Sequence, residues 1–491
     1  MVGCLNTQAL SVTSAMSVPE KYVETIEALR AIFPAAEVNT DPDVLKKHSS
    51  TFGVSRARNP PGVGHTVVVY PRSTEDVVKI VKISREHLMP ITAYGGATSL
   101  EGHATFVSSL TSESGGICLD VSKMDKILEI HVEDGDLICQ PGVQWVTVNE
   151  TLKQKGIPLF FPLDPGIGAT IGGMISTGCS GTNAVKYGTA RGEWFINATV
   201  VLPSGEIIKT RRRSRKCSAG FDTLSLFVGA EGTLGIVTEV TIRLTPLLPT
   251  RVAVAGFPDV AHASRASTEA LNCGVNLQCI ELLDKRSMAG LNAFNRNMRQ
   301  WPEQDSIFFK IQGATQVFID ESARILREVV ERNGGSGFEF AATEKEADDL
   351  WLARKSAVMA GFALAPGAQA MITDVCVPLS ALPQLMTNIG KDLDEAGLLA
   401  GTLAHAGDGN MHAMILYRNE NEEKIARGVA DKLAQYALQL DGTCTGEHGV
   451  GVGKKKYLVD ELGANTVELM KQIKKTIDPL NLFNPGKLYP D

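Results

Sequence analysis

The sequence predicts an α+β fold in more than one part: a glycine-rich first half, then a cap built on an antiparallel sheet. Three observations predict it. At 491 residues the chain is too long for a single hydrophobic core. Many of its 47 glycines gather in loops between strand-like runs, as expected where backbone must approach a ligand closely. Beyond Thr245-Pro-Leu-Leu-Pro249, a β-α-β rhythm suits helices packed on an antiparallel sheet. Hydrophobic residues at 44% and charged residues at 21% are ordinary for a globular enzyme. The net charge of −7 argues against a nucleic-acid partner. Nine cysteines without a C-x-x-C pair read as reduced thiols. No run approaches the ~18 apolar residues of a membrane span.

In chain order, Met1 to Val18 carries no charged side chain and is rich in Ser, Thr and Ala. That is acid-poor like a mitochondrial presequence, but without its arginines. Pro19 to Phe33 has Val23, Ile26, Leu29 and Ile32 at helical spacing. A short strand is expected at Val67–Tyr70. Ser73 then caps a helix, with Asp76 giving a weakened capping box, Asp standing for Glu or Gln, and Val77, Ile80 and Val81 facing inward. Another strand, Pro90 to Tyr94, runs into Gly95-Gly-Ala-Thr-Ser-Leu-Glu-Gly102. This loop could line a phosphate with its amides, but it is neither a G-x-G-x-x-G turn nor a G-x-x-x-x-G-K-[ST] loop. A nicotinamide Rossmann site and a P-loop kinase are therefore disfavoured.

Further small-residue loops follow at Pro162–Gly173, Ser176–Gly188 and Gly229–Thr238. Together they suggest backbone wrapped around one long phosphate-bearing molecule. Lys209 to Lys216 holds six Lys or Arg in eight positions and reads as a solvated loop, since no aromatic residue is interleaved. In the second half, strands are expected at Val252–Phe257, Ile307–Ile311 and Met371–Pro378. Helices are expected at Ala261–Asn272, Phe318–Asn333, Glu344–Phe362, Glu422–Leu440 and Ala464–Ile477.

His405-Ala-Gly-Asp-Gly-Asn-Met-His412 reads as the tip of a hairpin. A six-residue connection, Ala406 to Met411, would set His405 and His412 directly opposite, with Cβ atoms about 4.5–5.5 Å apart. Glu447, in Gly446-Glu-His-Gly449, offers a third donor. Two His and one carboxylate with an open position make the ligand set of a catalytic metal. The plain alternative is two satisfied histidines beside an Asp-Gly turn.

Gathered together, these segments resemble the flavoproteins of the vanillyl-alcohol-oxidase type. The branch is that of the D-lactate, D-2-hydroxyglutarate and glycolate dehydrogenases. The resemblance covers about Pro71 to Lys487 and rests on Tyr94–Gly102, Pro162–Gly188, Glu231–Val237, the two histidines, Gly446–Gly449 and Phe483-Asn-Pro-Gly-Lys487. It implies a two-part FAD-binding domain (35–247) after an N-terminal extension and helix (1–34). A cap follows (248–440), and a C-terminal segment (441–491) returns to the flavin.

By the same resemblance Tyr94, Gly95, Gly96, Thr98, Ser99 and Gly102 cradle the FAD pyrophosphate. Asp164, Thr170, Gly172, Gly173, Gly178, Ser180, Gly181 and Gly188 meet the flavin and ribityl chain. Gly235, Ile236, Val237 and Asn484 approach its edges. FAD is expected to be non-covalent, with His103 the residue to check for attachment. Cys179-Ser-Gly181 and Ile372-Thr373 depart from the hydroxyglutarate pattern, which has a lysine ahead of the residue matching Asp374. Without that lysine, a monocarboxylate such as lactate is favoured.

The expected chemistry is oxidation of a D-2-hydroxy acid to the 2-keto acid. Zn²⁺ or Mn²⁺ sits on His405, His412 and Glu447, His448 is the general base, Arg354 clamps the carboxylate, and hydride passes to the flavin. Cytochrome c or a quinone is the expected acceptor, a mitochondrial or otherwise cytoplasmic location is expected, and a homodimer is compatible. Rival readings are D-2-hydroxyglutarate or glycolate oxidation, a non-redox alkyl-glycerone-phosphate synthase type of flavoenzyme, and an FAD-binding subunit of a larger complex.

Overall fold

Three sheets carry the chain's apolar runs in a computed structural model that describes residues 20–49, 64–107, 115–294 and 300–490. The expected presequence at Met1–Val18 lies outside the described residues. In the first sheet, β1 (Val38–Asn39), β2 (Val67–Val69), β3 (Ile91–Tyr94) and β4 (Ile117–Asp120) lie in the order β1-β2-β4-β3. β2, β4 and β3 run parallel, with β1 antiparallel at the edge. Val67, Val68, Val69, Ile117, Cys118 and Leu119 are all fully buried, the continuous apolar pattern of strands covered on both faces. The helix Thr74–Glu86 crosses over between them. Ser73 Oγ accepts from Asp76 N at 3.2 Å, and Val77, Ile80 and Val81 are buried.

The second sheet holds β5 (Ile127–His131), β6 (Asp136–Cys139), β8 (Phe195–Val201), β9 (Ile207–Lys209) and β10 (Ile236–Arg243), all antiparallel, in the order β5-β6-β10-β8-β9. A short ribbon of β7 (Leu159–Phe160) and β11 (Thr245–Pro246) stands beside it. The basic run after β9 is a loop, though not a free one. Arg213 Nη1 reaches Asp134 and Asp136, and Arg211 Nε donates to Ile196 O.

The third sheet is wholly antiparallel. It comprises β12 (Thr250–Phe257), β13 (Leu277–Leu283), β14 (Asp305–Gln312), β15 (Ser336–Phe340), β16 (Gln369–Ile372), β17 (Val375–Cys376), β18 (Ala400–His405) and β19 (Asn410–Tyr417). The order is β15-β12-β14-β13-β18-β19-β16, with β17 also beside β19. Helices Val260–Asn272, Gln316–Arg332, Leu382–Ala396 and Glu420–Gln439 cover one face. Strand alternation sorts the side chains. Ile280, Leu282, Ala404, Met411, Ala413 and Ile415 enter that helical core. Cys279, Glu281, Leu403, His405, His412 and Met414 therefore point to the other face.

The single helix expected over Glu344–Phe362 is two helices, Glu344–Lys355 and Ala357–Leu364, broken at Ser356. Ser356 Oγ donates to Leu352 O at 2.8 Å, one of the local bonds by which serine competes with regular helix.

The C-terminal helix Ala464–Ile477 ends where Asp478 accepts from Phe483 N and Leu482 N. Phe483 then bridges Ile91 in parallel, with Asn484 N donating to Ile91 O at 2.7 Å, so the tail extends the first sheet beyond β3. Burial of Phe483 contributes about 2–3 kcal/mol to holding it there. Among the described residues no helix is long and apolar enough to cross a membrane, and the eight cysteines from Cys118 to Cys444 are free thiols.

Candidate functional site

A cavity of about 560 Å³ opens between the glycine-rich loops and the bare face of the third sheet. Its first wall is made by small residues for a steric reason. A Cβ on Gly96 would lie 2.1 Å from Gly168 O, so only glycine lets the two loops close on each other. Tyr94, Gly95, Gly96, Thr98 and Ser99 line this part. Asp164, Thr170, Gly172, Gly173 and Gly181 line the middle, with Gly235, Ile236, Val237 and Asn484 farther round.

Four of the glycine and serine positions expected at the ligand do other work. Gly178 ends the helix Ile171–Thr177 in the left-handed conformation, and Gly188 ends the turn Ala184–Tyr187 with φ +74°. Gly102 turns the chain at φ +81°, and the Ser180 hydroxyl donates to Glu447 Oε2 at 2.7 Å. His103 lines the cavity with its Nε2 3.0 Å from Glu231 Oε1.

The hairpin differs from expectation in register. The connection is four residues, Ala406–Gly409, and His405 pairs with Asn410 while His412 pairs with Leu403. Asp408 N and Gly409 N both donate to His405 O, which closes the turn early. Gly409, at φ +83°, has no room for a Cβ against Val377 O. The two histidines are thus diagonal neighbours rather than direct partners. They still share a face because the shift is two residues, the period of a strand. Their ring centroids are 5.4 Å apart.

Glu447 Oε1 lies 3.5 Å from His405 Nε2 and 3.2 Å from His412 Nε2. Two ligands about 2.0–2.1 Å from one tetrahedral ion are roughly 3.3 Å apart, so the donor set fits a divalent cation. The electrostatics agree. Burial opposes charge on His405, but Glu281 and then Glu447 outweigh it and hold its pKa well above the ordinary imidazole range. Burial likewise opposes ionisation of Glu447, and His405 and His412 overcome it, keeping the carboxyl well below the usual range. The negative charge that draws a proton to His405 would draw a cation as well, and a cation binding there would displace that proton.

The outer ends of these ligands are fixed. His412 Nδ1 donates to Thr373 O at 2.9 Å. His405 Nδ1 lies 2.9 Å from both oxygens of Glu281, which also receives Arg354 Nη2. Arg354, expected to face the ligand, is on the cavity wall with its Nε unpartnered, but part of its fork is engaged by Glu281. Asp374 is fully buried and holds the Glu447 turn, its Oδ2 accepting from Glu447 N, His448 N and Thr445 Oγ1. Burial opposes its ionisation, and Lys454, His448 and His412 hold its pKa well below the carboxylate range. His448 stacks on His412 at 4.9 Å, with its Nδ1 unpartnered. Burial lowers its pKa to about 4, so the ring is neutral.

Glu281, Asp374 and Lys454 carry much of this arrangement, and neither Glu281 nor Lys454 stands out as a site residue from the sequence. For Glu281 a signal existed: a carboxylate inside the otherwise uncharged run Leu277–Leu283. Lys454 is buried against Asp374 O at 2.6 Å, with Glu101 Oε1 3.6 Å away. Lys454→Met would leave two buried carboxylates without their cation, and is expected to lower unfolding free energy by about 3 kcal/mol, readable in a urea titration.

The comparisons with known proteins cover both halves of the chain. A family model described as FAD binding domain matches residues 65–211, and one described as FAD linked oxidases, C-terminal domain, matches 249–488. The chain is 45% identical over 430 residues to "D-lactate dehydrogenase [cytochrome], mitochondrial" of Arabidopsis thaliana, covering 86% of this chain and 73% of that one. It is 39% identical over 458 residues to the protein of the same name from Kluyveromyces lactis, covering 91% and 77%. Among solved structures, 4-ethylphenol oxidase from Gulosibacter chungangensis superposes with a TM-score of 0.78 at 18% identity, covering 97% of this chain and 99% of that one. At that identity the likeness concerns the fold.

Proposed function

This chain belongs to the FAD-linked oxidases and is an FAD-dependent oxidoreductase, and from that premise we propose that it oxidises D-lactate, or a similar small D-2-hydroxy acid, to the 2-keto acid. One observation carries the reading: two imidazoles and a carboxylate converge on one point in the wall of the FAD cavity. The names of the relatives supply the substrate and suggest a cytochrome as acceptor and a mitochondrial location. Arg354 and Lys355 are the arginine and lysine side chains of the cavity wall, and Ile372-Thr373 stands ahead of Asp374 where the hydroxyglutarate pattern has a lysine, which favours a monocarboxylate.

When bound, FAD supplies the hydride acceptor, and a divalent ion on His405, His412 and Glu447 supplies positive charge beside the 2-hydroxyl. The chain's own groups do the rest. Arg354, through its free Nε, holds the substrate carboxylate by a charge-assisted bond. His448, neutral and unpartnered at Nδ1, takes the hydroxyl proton, and ionised Asp374 stabilises the imidazolium that results. Leu403, Met414 and Ile372 keep water from the reacting carbon.

Mixing the enzyme anaerobically with D- and L-lactate, glycolate and D-2-hydroxyglutarate tests the reading. Only D-lactate and its close analogues are expected to bleach the yellow flavin rapidly. No bleaching by any 2-hydroxy acid would overturn it. A pH prediction follows from the basicity of His405. Protons displace the ion as pH falls, so a chelator should strip metal faster at about pH 6 than at about pH 8. Metal analysis of dialysed samples checks this.

A further inference from the structure

β13 is buried along its whole length yet carries Glu281, whose side chain is fully buried. Glu281 is the register partner of His405 on β18, and both its oxygens lie 2.9 Å from His405 Nδ1. Its Oε2 also receives Arg354 Nη2 from the helix Glu344–Lys355. An ionised carboxylate accepts only and a guanidinium donates only. The proton on this side of the His405 ring therefore belongs to Nδ1, and Nε2, 3.5 Å from Glu447 Oε1, is the nitrogen that would give up its proton to an ion.

We propose that Glu281 is a positioning residue that ties the metal ligand His405 to Arg354. It fixes the imidazole as the Nδ1–H tautomer and leaves the guanidinium Nε for the substrate. This rests on the metal reading above. Carboxylates of this kind, standing behind a ligating histidine, change metal affinity by roughly 10–100-fold when altered. A purely structural role, pinning the helix to the sheet, would instead show in thermal stability and flavin retention.

Glu281→Gln separates the two. A carboxamide is neutral and has one accepting oxygen, so the negative charge behind His405 is lost and an amino group replaces one of the two oxygens that lie 2.9 Å from Nδ1. When its oxygen turns to Arg354, its N–H faces Nδ1 and selects the tautomer with the proton on Nε2, where the ion would bind. The FAD-loaded enzyme is titrated with Zn²⁺ alone and Mn²⁺ alone against a chromogenic chelator. Wild type is expected to bind one equivalent. Glu281→Gln is expected to bind roughly 10–100-fold more weakly, with flavin content and unfolding midpoint near wild type. Glu281→Asp, which keeps both acceptors, should recover part of the loss.

Wild-type metal affinity in Glu281→Gln overturns the proposal while leaving the metal reading standing. A wild-type enzyme that binds no ion overturns both. Lost flavin or a lowered midpoint with unchanged metal affinity also overturns it, assigning Glu281 to structure alone. Should Glu281→Gln fail to fold, Glu281→Asp decides: several-fold weaker binding supports the proposal, and wild-type binding ends it.

Discussion

His405→Ala is expected to stay yellow and fall nearly silent. The imidazole sits on the sheet face opposite the helical core, so its loss opens space in the cavity wall and leaves the packing of Ala404 and Met411 untouched. The FAD loops lie across the cavity from it and should keep their cofactor. What disappears is one of three donors around a position that needs all three, because Glu447 and His412 alone make a two-ligand site. An ion at that position lowers the barrier for deprotonating a weakly acidic hydroxyl by several kcal/mol. Turnover should therefore drop by roughly four orders of magnitude, with flavin absorbance retained and metal content near zero. Full activity in a metal-free variant would end the assignment.

The second large effect belongs to His448. Asparagine fills much of the same volume and can hydrogen-bond, so His448→Asn should fold and load FAD normally. It cannot take a proton. General bases of this kind contribute roughly 10²–10⁴-fold, and the loss should appear in kcat as well as kcat/KM. The pH profile is the sharper readout. Burial lowers the pKa of His448 to about 4, so the wild-type acid limb should lie below the ordinary imidazole range. Activity falls on that limb as the ring becomes protonated and can accept nothing more. In the asparagine variant the limb should vanish, leaving a low, flatter profile. A variant that keeps the wild-type limb would move the proton-accepting role to another group.

Much of this architecture was legible because its signals are local. The loops at Gly95–Gly102 and Pro162–Gly173 announce themselves by residue size, and the cavity is walled there. The His405 hairpin was legible for the same reason, although its register was not. The turn Ala406–Gly409 is shorter than the polar run suggests, because Asn410 and Met411 are already in the strand. A two-residue slip preserves the face, so the shared orientation of the histidines survived the error. The break at Ser356 left little trace in a run of good helix formers. The network behind the ligands was harder still. Glu281 meets Arg354 73 positions away, and Lys454 meets Asp374 80 positions away. No local pattern encodes a pairing between side chains that far apart; only the fold brings them together.

The tail that joins β3 bears on how the holoenzyme is made. Asn484 lines the cofactor cavity, and its Nδ2 donates to His103 O and Glu231 O, stitching together loops translated hundreds of residues earlier. His103 and Glu231 leave the ribosome well before Asn484 does. The wall that Asn484 closes therefore stays open until that residue has been made. This side of the cofactor wall is completed by the last-made of the three segments it joins.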